Sequence, residues 1–196
     1  MTGRSLKRRA GMLASLAALA ACASPTPKLY TIAPIDGPTR AGGPGVVVLQ
    51  TIVVARYLER LQIVGSSENY RLEVMPFDWW GEPLPAMLAR ILNEELSQRL
   101  PRTTVLNENG AVTSTPDATI ALNIRRLDLN SAGSLVLQAQ AEVTFKGRPE
   151  PVLRSFRFVV APQGAGVPSE VAAISAAVGQ LADGLASMLF AGRATK

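Results

Sequence analysis

Few side chains in this 196-residue sequence are suited to covalent chemistry or metal binding. Cys22 is the only cysteine, so it has no disulfide partner within the chain. Histidine is absent, which removes the usual general base, the usual partner of a nucleophilic Ser or Cys, and the commonest metal ligand. The sequence therefore predicts no catalytic residue, no metal site, and no cofactor other than a group attached covalently to Cys22.

Two local patterns share part of an active-site signature but lack what would complete it. Residues 42–45 (Gly-Gly-Pro-Gly) have neither the lysine nor the following helix of a phosphate-binding loop. Glu94 and Glu95 are adjacent carboxylates on a predicted helix with Gln98 beside them, which is typical of a solvated helix face. We interpret both patterns as structural and predict a binding or structural component, not an enzyme.

The residues before Cys22 have the layout of an export signal. A basic start precedes an apolar run from Met12 to Ala20, and small residues lie immediately before the cysteine. The stretch Leu19-Ala20-Ala21-Cys22 resembles the lipobox of bacterial lipoproteins, in which the thiol receives a diacylglycerol. The apolar run is about half the roughly 20 residues that a membrane-spanning helix needs. We therefore predict that residues 1–21 are removed and that a lipid on Cys22 attaches the protein to a membrane.

Removal of the leader changes the charge of the protein. The full chain has 20 Lys and Arg against 15 Asp and Glu, but four of the basic residues precede Cys22. The remaining 16 basic residues do not cluster, so we predict no nucleic-acid binding. In enteric-type sorting, an Asp directly after the acylated cysteine retains a lipoprotein in the inner membrane. Because Ala23 occupies that position, we predict an outer-membrane anchor with the domain facing the periplasm.

The sequence from Cys22 onward divides into a tether and one domain. Residues 22–45 are rich in Pro and Gly, which predicts an extended tether that does not pack. Within it, Leu29–Ile32 has strand-forming residue types and is expected to dock on the edge of a sheet. Residues 46–192 have a length typical of one domain. We predict an α+β fold in which a mixed, largely antiparallel sheet carries two principal helices.

Hydrophobic periodicity predicts the individual strands. Residues 46–54 form a nearly continuous β-branched run, which predicts a strand buried on both faces. Residues 61–64 and 69–74 flank a polar turn and are expected to form a hairpin. A change of alternating phase near Arg125 and Arg126 predicts a bulge, and Leu135–Phe145 has the clearest half-buried alternation in the chain.

Two helices follow from the same analysis. Pro83 opens a helix whose apolar residues recur at intervals of three and four until Pro101. The last helix begins near Ser169 and is rich in Ala and Gly, with Asp183 as the only charge between Glu170 and Arg193. Such a helix is expected to be covered on more than one face. Its second cover is either the protein's own sheet or a neighbouring subunit, and the sequence leaves both open.

Residues 56–64 and 79–84 together resemble the auxiliary lipoproteins of ABC-type transport systems, the PqiC and YmbA group. In that family a Tyr-Leu-Asp-Arg-Pro-Gln-Ile-Val block is followed by Trp-Ala-Glu-Pro-Leu at the start of a helix. This sequence departs from the pattern at Glu59, Leu61 and Gly81. The matching positions are Tyr57, Leu58, Arg60, Gln62, Ile63, Val64, Trp80, Glu82, Pro83 and Leu84.

The resemblance implies a lipoprotein that works with an MCE-type lipid-transport machine spanning the periplasm. Members of this family look like outer-membrane anchors for the periplasmic MCE-domain protein, and a homo-oligomeric ring is one assembly that the resemblance suggests. A separate ATPase would then lie at the inner membrane, in agreement with the missing nucleotide motif. The alternative from another class is a lipid-binding carrier whose sheet and Ala-rich helix enclose an acyl chain. An envelope hydrolase is disfavoured by the absence of histidine.

The same stretches supply candidate partner-binding residues: Arg56, Tyr57, Arg60, Trp79 and Trp80. Aromatic and guanidinium groups are the side chains most enriched at the energetic centres of interfaces. We favour core packing for Trp80 and an exposed contact for its neighbour Trp79. A flat patch around Tyr57 and Trp79 would favour docking, whereas an apolar pocket of several hundred Å³ would favour the carrier.

Overall fold

The computed structural model of the chain describes residues 25–191, so the leader, Cys22 and residues 192–196 lie outside the described part. Nine strands in the described part form one mixed sheet, and two helices pack on one of its faces, which confirms the predicted fold class. The strands are β1 Lys28–Tyr30, β2 Val46–Leu49, β3 Val53–Val54, β4 Gln62–Ser66, β5 Glu73–Trp80, β6 Thr104–Asn107, β7 Ala118–Leu129, β8 Leu135–Phe145 and β9 Val152–Val160. The helices are α1 Leu84–Arg99 and α2 Val167–Ala191, and a 3-10 turn at Arg56–Leu58 joins β3 to β4.

Strand β7 lies at the centre of the sheet. On one side it pairs antiparallel with β8 along its whole length, and β9 pairs antiparallel with β8. On the other side β2, β3 and β4 lie end to end and parallel to β7. Beyond them the sheet divides into two branches, one ending in β6 and the other continuing through β5 to β1. Strands β9 and β1 therefore lie at opposite edges of the sheet.

The longest strands follow the predicted alternation. The register of β7 and β8 shifts between Ile124 and Arg126, which confirms the bulge and turns Leu127 back toward the core. Strand β8 has the predicted bounds, with alternate residues buried beneath the helices. Strand β1 pairs with the edge of β5, which confirms that this short apolar segment docks on the sheet.

The prediction of one strand at residues 46–54, buried on both faces, is wrong. The segment forms two short strands in which Val47, Leu49 and Val54 are buried, while Val53 is 58% exposed. The physical reason is the arrangement of layers: both helices lie on one face of the sheet, so only side chains that point toward them are covered.

The predicted hairpin is present, but its second strand lies further along the chain. Strand β5 pairs antiparallel with β4 but begins at Glu73 and continues to Trp80. Asn69 and Tyr70 have φ values of 57° and 61°, which are left-handed turn conformations and not extended ones. The turn is therefore longer than the sequence predicted.

Both helices form close to where their apolar spacing predicts. Pro83 is the N-cap residue of α1, and the helix ends before Pro101. Helix α2 begins at Val167, two residues before the predicted start, and packs against α1, β8 and β9 of its own chain. By length and composition α2 is apolar enough to cross a membrane, with a mean hydropathy of 1.4, but 67% of that stretch is buried in the domain. We therefore interpret α2 as a core helix of this domain.

Residues 31–45, here called the strap, lie along the two helices without forming regular structure. Ile32 is buried, and the backbone N–H of Ile35 donates a hydrogen bond of 2.8 Å to Oε1 of Glu95. Gly37 exchanges two hydrogen bonds of 3.1 Å with the side-chain amide of Gln98. At the far end of the strap, the Arg40 N–H donates to the carbonyl of Arg99 at 2.7 Å. Side chains of α1 thus provide the partners that a strand ladder would otherwise supply.

The prediction that residues 22–45 form a tether that does not pack, apart from the docked segment Leu29–Ile32, is therefore wrong for residues 33–45. Proline and glycine prevent this segment from forming a helix, as expected, but its carbonyls and N–H groups are bonded to the helical layer. The folded chain begins at Lys28 and not at Val46. Residues 22–24 lie outside the described part.

Arg99 is the buried centre of this contact. Its side chain is 1% exposed, and its Nε donates to Oδ1 of Asp183 on α2 at 2.6 Å. The two Nη atoms donate to the carbonyls of Ile35, Glu95 and Gly179 at 3.0 to 3.2 Å. Because one guanidinium bonds to the strap, α1 and α2, it fixes all three relative to one another.

Glu95 contradicts the prediction of a solvated carboxylate pair. Glu94 is exposed, but Glu95 is 1% exposed and faces the strap, where Oε1 accepts the N–H of Ile35. Neighbouring residues on a helix point about 100° apart, so an adjacent pair need not share one environment. The strap covers the side of α1 that the sequence pattern left open to solvent.

Gly37→Ala should destabilise the protein by about 1–3 kcal/mol. A Cβ at this position would overlap the guanidinium of Arg99, which is buried and held by hydrogen bonds to the strap and to both helices. Gly164→Ala is the matched control, because its Cβ would meet only Ser169 at an ordinary contact distance. Urea denaturation of the two variants measures the difference, and equal stability would contradict the packing of the strap on Arg99.

Candidate functional site

The predicted contact residues come from two segments that the fold brings together. The backbone N–H of Trp80 donates a 2.7 Å hydrogen bond to the carbonyl of Leu61, directly after the 3-10 turn. Gln62 is in register with Trp79 in the antiparallel pairing of β4 and β5. The turn and the end of β5 are therefore neighbours, and β1 pairs with that same end of β5.

The two tryptophans point to opposite faces of the sheet. Trp80 is 5% exposed and packs in the core under the helices, which confirms core packing for this residue. Trp79 lies on the other, uncovered face and is only partly buried. Its indole Nε1 donates to the carbonyl of Pro76 at 3.0 Å, which holds the ring along the strand. Of this pair, only Trp79 has a surface that another molecule can contact.

Tyr57 ties the 3-10 turn to the central strand. Its hydroxyl donates a 2.7 Å hydrogen bond to Oδ2 of Asp128, which is fully buried. Arg126 donates to the other oxygen of Asp128 at 2.8 Å and to Glu68 at 2.9 Å. Burial, together with the hydrogen bond to Asp128, raises the pKa of Tyr57 to about 12. Tyr57 thus has a structural role, and its hydroxyl is already engaged.

The two arginines of the turn present their side chains to solvent. Arg56 and Arg60 are both exposed, and Nε of Arg60 donates to the carbonyl of Tyr57 at 3.0 Å. That bond closes the turn and leaves the outer edge of the Arg60 guanidinium facing outward. Within the predicted set, the groups accessible at the surface are therefore Arg56, Arg60 and part of Trp79.

Sequence reasoning missed two exposed apolar residues beside Trp79. Leu29 is in parallel register with Trp79, and Phe77 lies two residues earlier on the same face of β5. Leu29 is 68% exposed and Phe77 is 48% exposed. The hydrogen bond of 2.8 Å from Tyr30 to Asp78 holds β1 against β5 on the other face. Alternation along residues 73–80 was the signal that could have identified Phe77, but the predicted strand stopped at residue 74.

Glu170 is a buried carboxyl that the sequence analysis treated only as a helix start. It lies in the first turn of α2, is 4% exposed, and its Oε1 has no hydrogen-bond partner among residues 25–191. Burial, and then the negative charges of Asp128 and Asp78, raise the pKa of Glu170 to about 7. The buried end of the sheet near Tyr57 therefore favours the protonated form of this carboxyl.

A groove of about 470 Å³ lies on the uncovered face of the sheet, where β3, β7, β8 and β9 meet. It is open to solvent, and polar side chains alternate with Val53, Ala121 and Leu153 along it. A site for an acyl chain would instead enclose the chain and bury most of its surface. This groove therefore lacks the character that the carrier hypothesis requires.

Comparison with known families gives one match over most of the chain. The model of a family described as the ABC-type transport auxiliary lipoprotein component matches residues 30–186, from the last residue of β1 into α2. Among curated proteins, no sequence matches this chain.

Solved structures share the fold. The crystal structure of a Xanthomonas campestris protein assigned to the family DUF330 has a TM-score of 0.70 and 17% identity, and the match covers 85% of this chain and 97% of that one. A crystal structure described as that of an uncharacterized protein also has a TM-score of 0.70 and 17% identity, covering 83% of this chain and 98% of that one. At this level of identity, both show similarity of fold alone.

The stability of the protein should fall as the pH rises from about 4.5 to about 7. Burial raises the pKa of both Glu95 and Glu170 to about 7, from an ordinary value of 4.5. Between those values the folded state keeps both protons while the unfolded chain has lost them, so the free energy of unfolding decreases with pH, by roughly 2–3 kcal/mol for each carboxyl.

Urea denaturation across this pH range tests the expectation. Glu95→Gln and Glu170→Gln should each reduce the pH dependence, whereas the exposed neighbour provides the control Glu94→Gln, which should leave it unchanged. A stability that rises over the same interval would show that these carboxyls are ionised in the folded protein.

Proposed function

We propose that this chain, which belongs to the family of ABC-type transport auxiliary lipoprotein components, is a non-catalytic accessory subunit of an MCE-type lipid-transport system. In this proposal a lipid on Cys22 anchors the protein in the outer membrane, and the folded domain docks the periplasmic MCE-domain partner there. Loss of the protein would then weaken the envelope. The match over residues 30–186 is the observation that carries the proposal, because it covers nearly the whole described domain.

The sequence around Cys22 supports the anchoring part of the proposal. The lipobox-like stretch ends six residues before Lys28, where the folded chain begins. Ala23 in place of Asp favours the outer membrane under enteric-type sorting. Since β1 pairs with β5 directly after this stretch, a pull on the anchor would act on the edge of the sheet and not on a loose tail.

The docking part of the proposal rests on the surface of the 3-10 turn. Arg56 and Arg60 present guanidinium groups at the surface, held in place by the bond between Tyr57 and Asp128. Arginine on a rigid support is well suited to bind carboxylates of a partner protein. A ring of several copies would repeat this surface around one partner. The open, partly polar groove on the sheet face favours docking over the carrier alternative.

Cys22→Ser should release the protein from the membrane. Acyl chains contribute about 0.8 kcal/mol for each buried CH2, so a diacylated cysteine with a further acyl chain is an effectively permanent anchor and its loss should be complete. Density-gradient fractionation of the envelope measures the change, with the wild-type protein expected in the outer-membrane fraction. A Cys22→Ser protein that still sediments there would refute the lipid anchor, and a wild-type protein in the inner-membrane fraction would refute the location.

Arg56→Ala combined with Arg60→Ala should weaken binding of the MCE-domain partner by about tenfold or more. Both side chains are exposed, so the melting temperature should change little. Arg157→Ala provides the matched control, because Arg157 is an exposed arginine on β9 at the opposite edge of the sheet. Titration of the lipidated protein with the MCE-domain protein of the same organism measures the affinity, and equal losses in both variants would contradict a docking surface at the turn.

A further inference from the structure

Exposed apolar side chains are concentrated at the β1 edge of the sheet. Five of the eleven large hydrophobic side chains that are exposed in the described residues come from residues 28–30 and 56–80. They are Leu29, Leu61, Tyr70, Leu72 and Phe77. Single exposed apolar residues are ordinary on a protein surface, but a contiguous group usually marks a contact.

Three of the residues near this edge form one continuous surface, here called the anchor-side face: Leu29, Phe77 and Trp79. Residues in register on neighbouring strands share a face, which places Leu29 beside Trp79. Phe77 follows on the same side of β5, because side chains alternate along a strand. Both helices lie on the other side of the sheet, so no element of the described chain covers this face.

The short connection to Cys22 limits how far this face can be from a membrane. Six peptide units separate Cys22 from Lys28, and a fully extended chain of that length spans roughly 20 Å. Strand β1 begins at Lys28, so the edge that bears Leu29 is the part of the described domain that the anchor keeps nearest to the bilayer. The strap that follows is bonded to the helices and cannot extend this reach.

We propose that the anchor-side face rests on the bilayer surface, with Leu29, Phe77 and Trp79 at the boundary between headgroups and acyl chains. This inference rests on the proposed lipid at Cys22. Tryptophan and large aliphatic side chains are the residues that favour this boundary. The contact orients the domain, because it adds a second attachment, at a fixed place on the sheet, to the proposed lipid at Cys22.

The contact is apolar and not electrostatic. Residues 28–30 and 56–80 contain four basic and four acidic side chains, so the region attracts anionic lipid no more than neutral lipid. The contact should therefore form equally on phosphatidylcholine vesicles with and without phosphatidylglycerol. The four basic residues of this region are Lys28, Arg56, Arg60 and Arg71, and the four acidic residues are Glu59, Glu68, Glu73 and Asp78.

The two tryptophans of the chain allow a direct test by fluorescence. The lipidated protein is reconstituted into phosphatidylcholine vesicles whose acyl chains are brominated close to the headgroup, since bromine quenches tryptophan on contact. Trp79 should lose about half of its emission or more, as expected for an indole at the interface. Trp80 is in the core and should be unaffected, so Trp79→Phe should abolish the quenching without any change to the interior.

A second variant provides the positional control. Leu153 is 70% exposed on β9, at the edge of the sheet opposite β1. Leu153→Trp in the Trp79→Phe background should be quenched by iodide in solution and not by brominated lipid. The proposed orientation is supported if brominated lipid quenches Trp79 in the wild-type protein but does not quench the tryptophan introduced by Leu153→Trp. Equal quenching by brominated lipid at both positions would overturn it.

Other outcomes distinguish this inference from the proposed function. If the protein fails to float with vesicles, the lipid anchor itself is wrong and the orientation falls with it. If the protein floats but iodide quenches Trp79 as strongly as in lipid-free solution, the anchor stands and the contact with the bilayer is refuted. If Trp79 becomes protected only when the MCE-domain protein is added, the face binds protein and the assignment to lipid is wrong.

Discussion

The buried guanidinium of Arg99 is the interaction on which the arrangement of the domain depends. A charge removed from water is very costly unless it is paired and hydrogen-bonded, and Arg99 of α1 satisfies this condition only when the strap and α2 are both in place. Asp183 of α2 supplies the opposite charge, the carbonyl of Ile35 comes from the strap, and that of Gly179 comes again from α2. Gly37 and Gly179 are small enough to let the chains approach. Packing of the two helices against each other and docking of the strap therefore depend on the same side chain.

Much of the fold follows from local patterns. The bounds of α1 and β8 and the bulge in β7 could be predicted because each depends on neighbours in sequence, such as Pro83 or the phase of alternation. The packing of residues 28–45 could not, since nothing in a Pro- and Gly-rich segment indicates that α1 will supply its hydrogen bonds. The same contact explains Glu95, whose surroundings come from a segment 60 residues away. For the strap and for Glu95, the sequence predicted the local conformation but not which other segment of the chain packs against it.

In the candidate site, too, the sequence predicted what depends on neighbouring residues and missed contacts between distant segments. Alternation along a strand was enough to place Trp79 and Trp80 on opposite faces and to favour core packing for Trp80. The hydrogen bond of Tyr57 to Asp128, which is 71 residues away, could not be predicted from the sequence, and it adds a structural role to a residue predicted as a contact. Together with the match to an auxiliary lipoprotein family, this arrangement describes the folded domain of a lipoprotein whose exposed residues at the turn are supported from the central strand.

The central claim is that the chain is anchored by lipid at Cys22, immediately before the point where it enters the fold. Trypsin cleaves after Lys28, so the mature N-terminus should be recovered as the seven-residue peptide Cys22–Lys28. Mass spectrometry of this peptide, from protein isolated out of the outer-membrane fraction, is the most direct test. We predict a peptide that begins at Cys22 and carries the mass of a diacylglycerol group. A peptide that begins elsewhere, or an unmodified Cys22, would contradict the account.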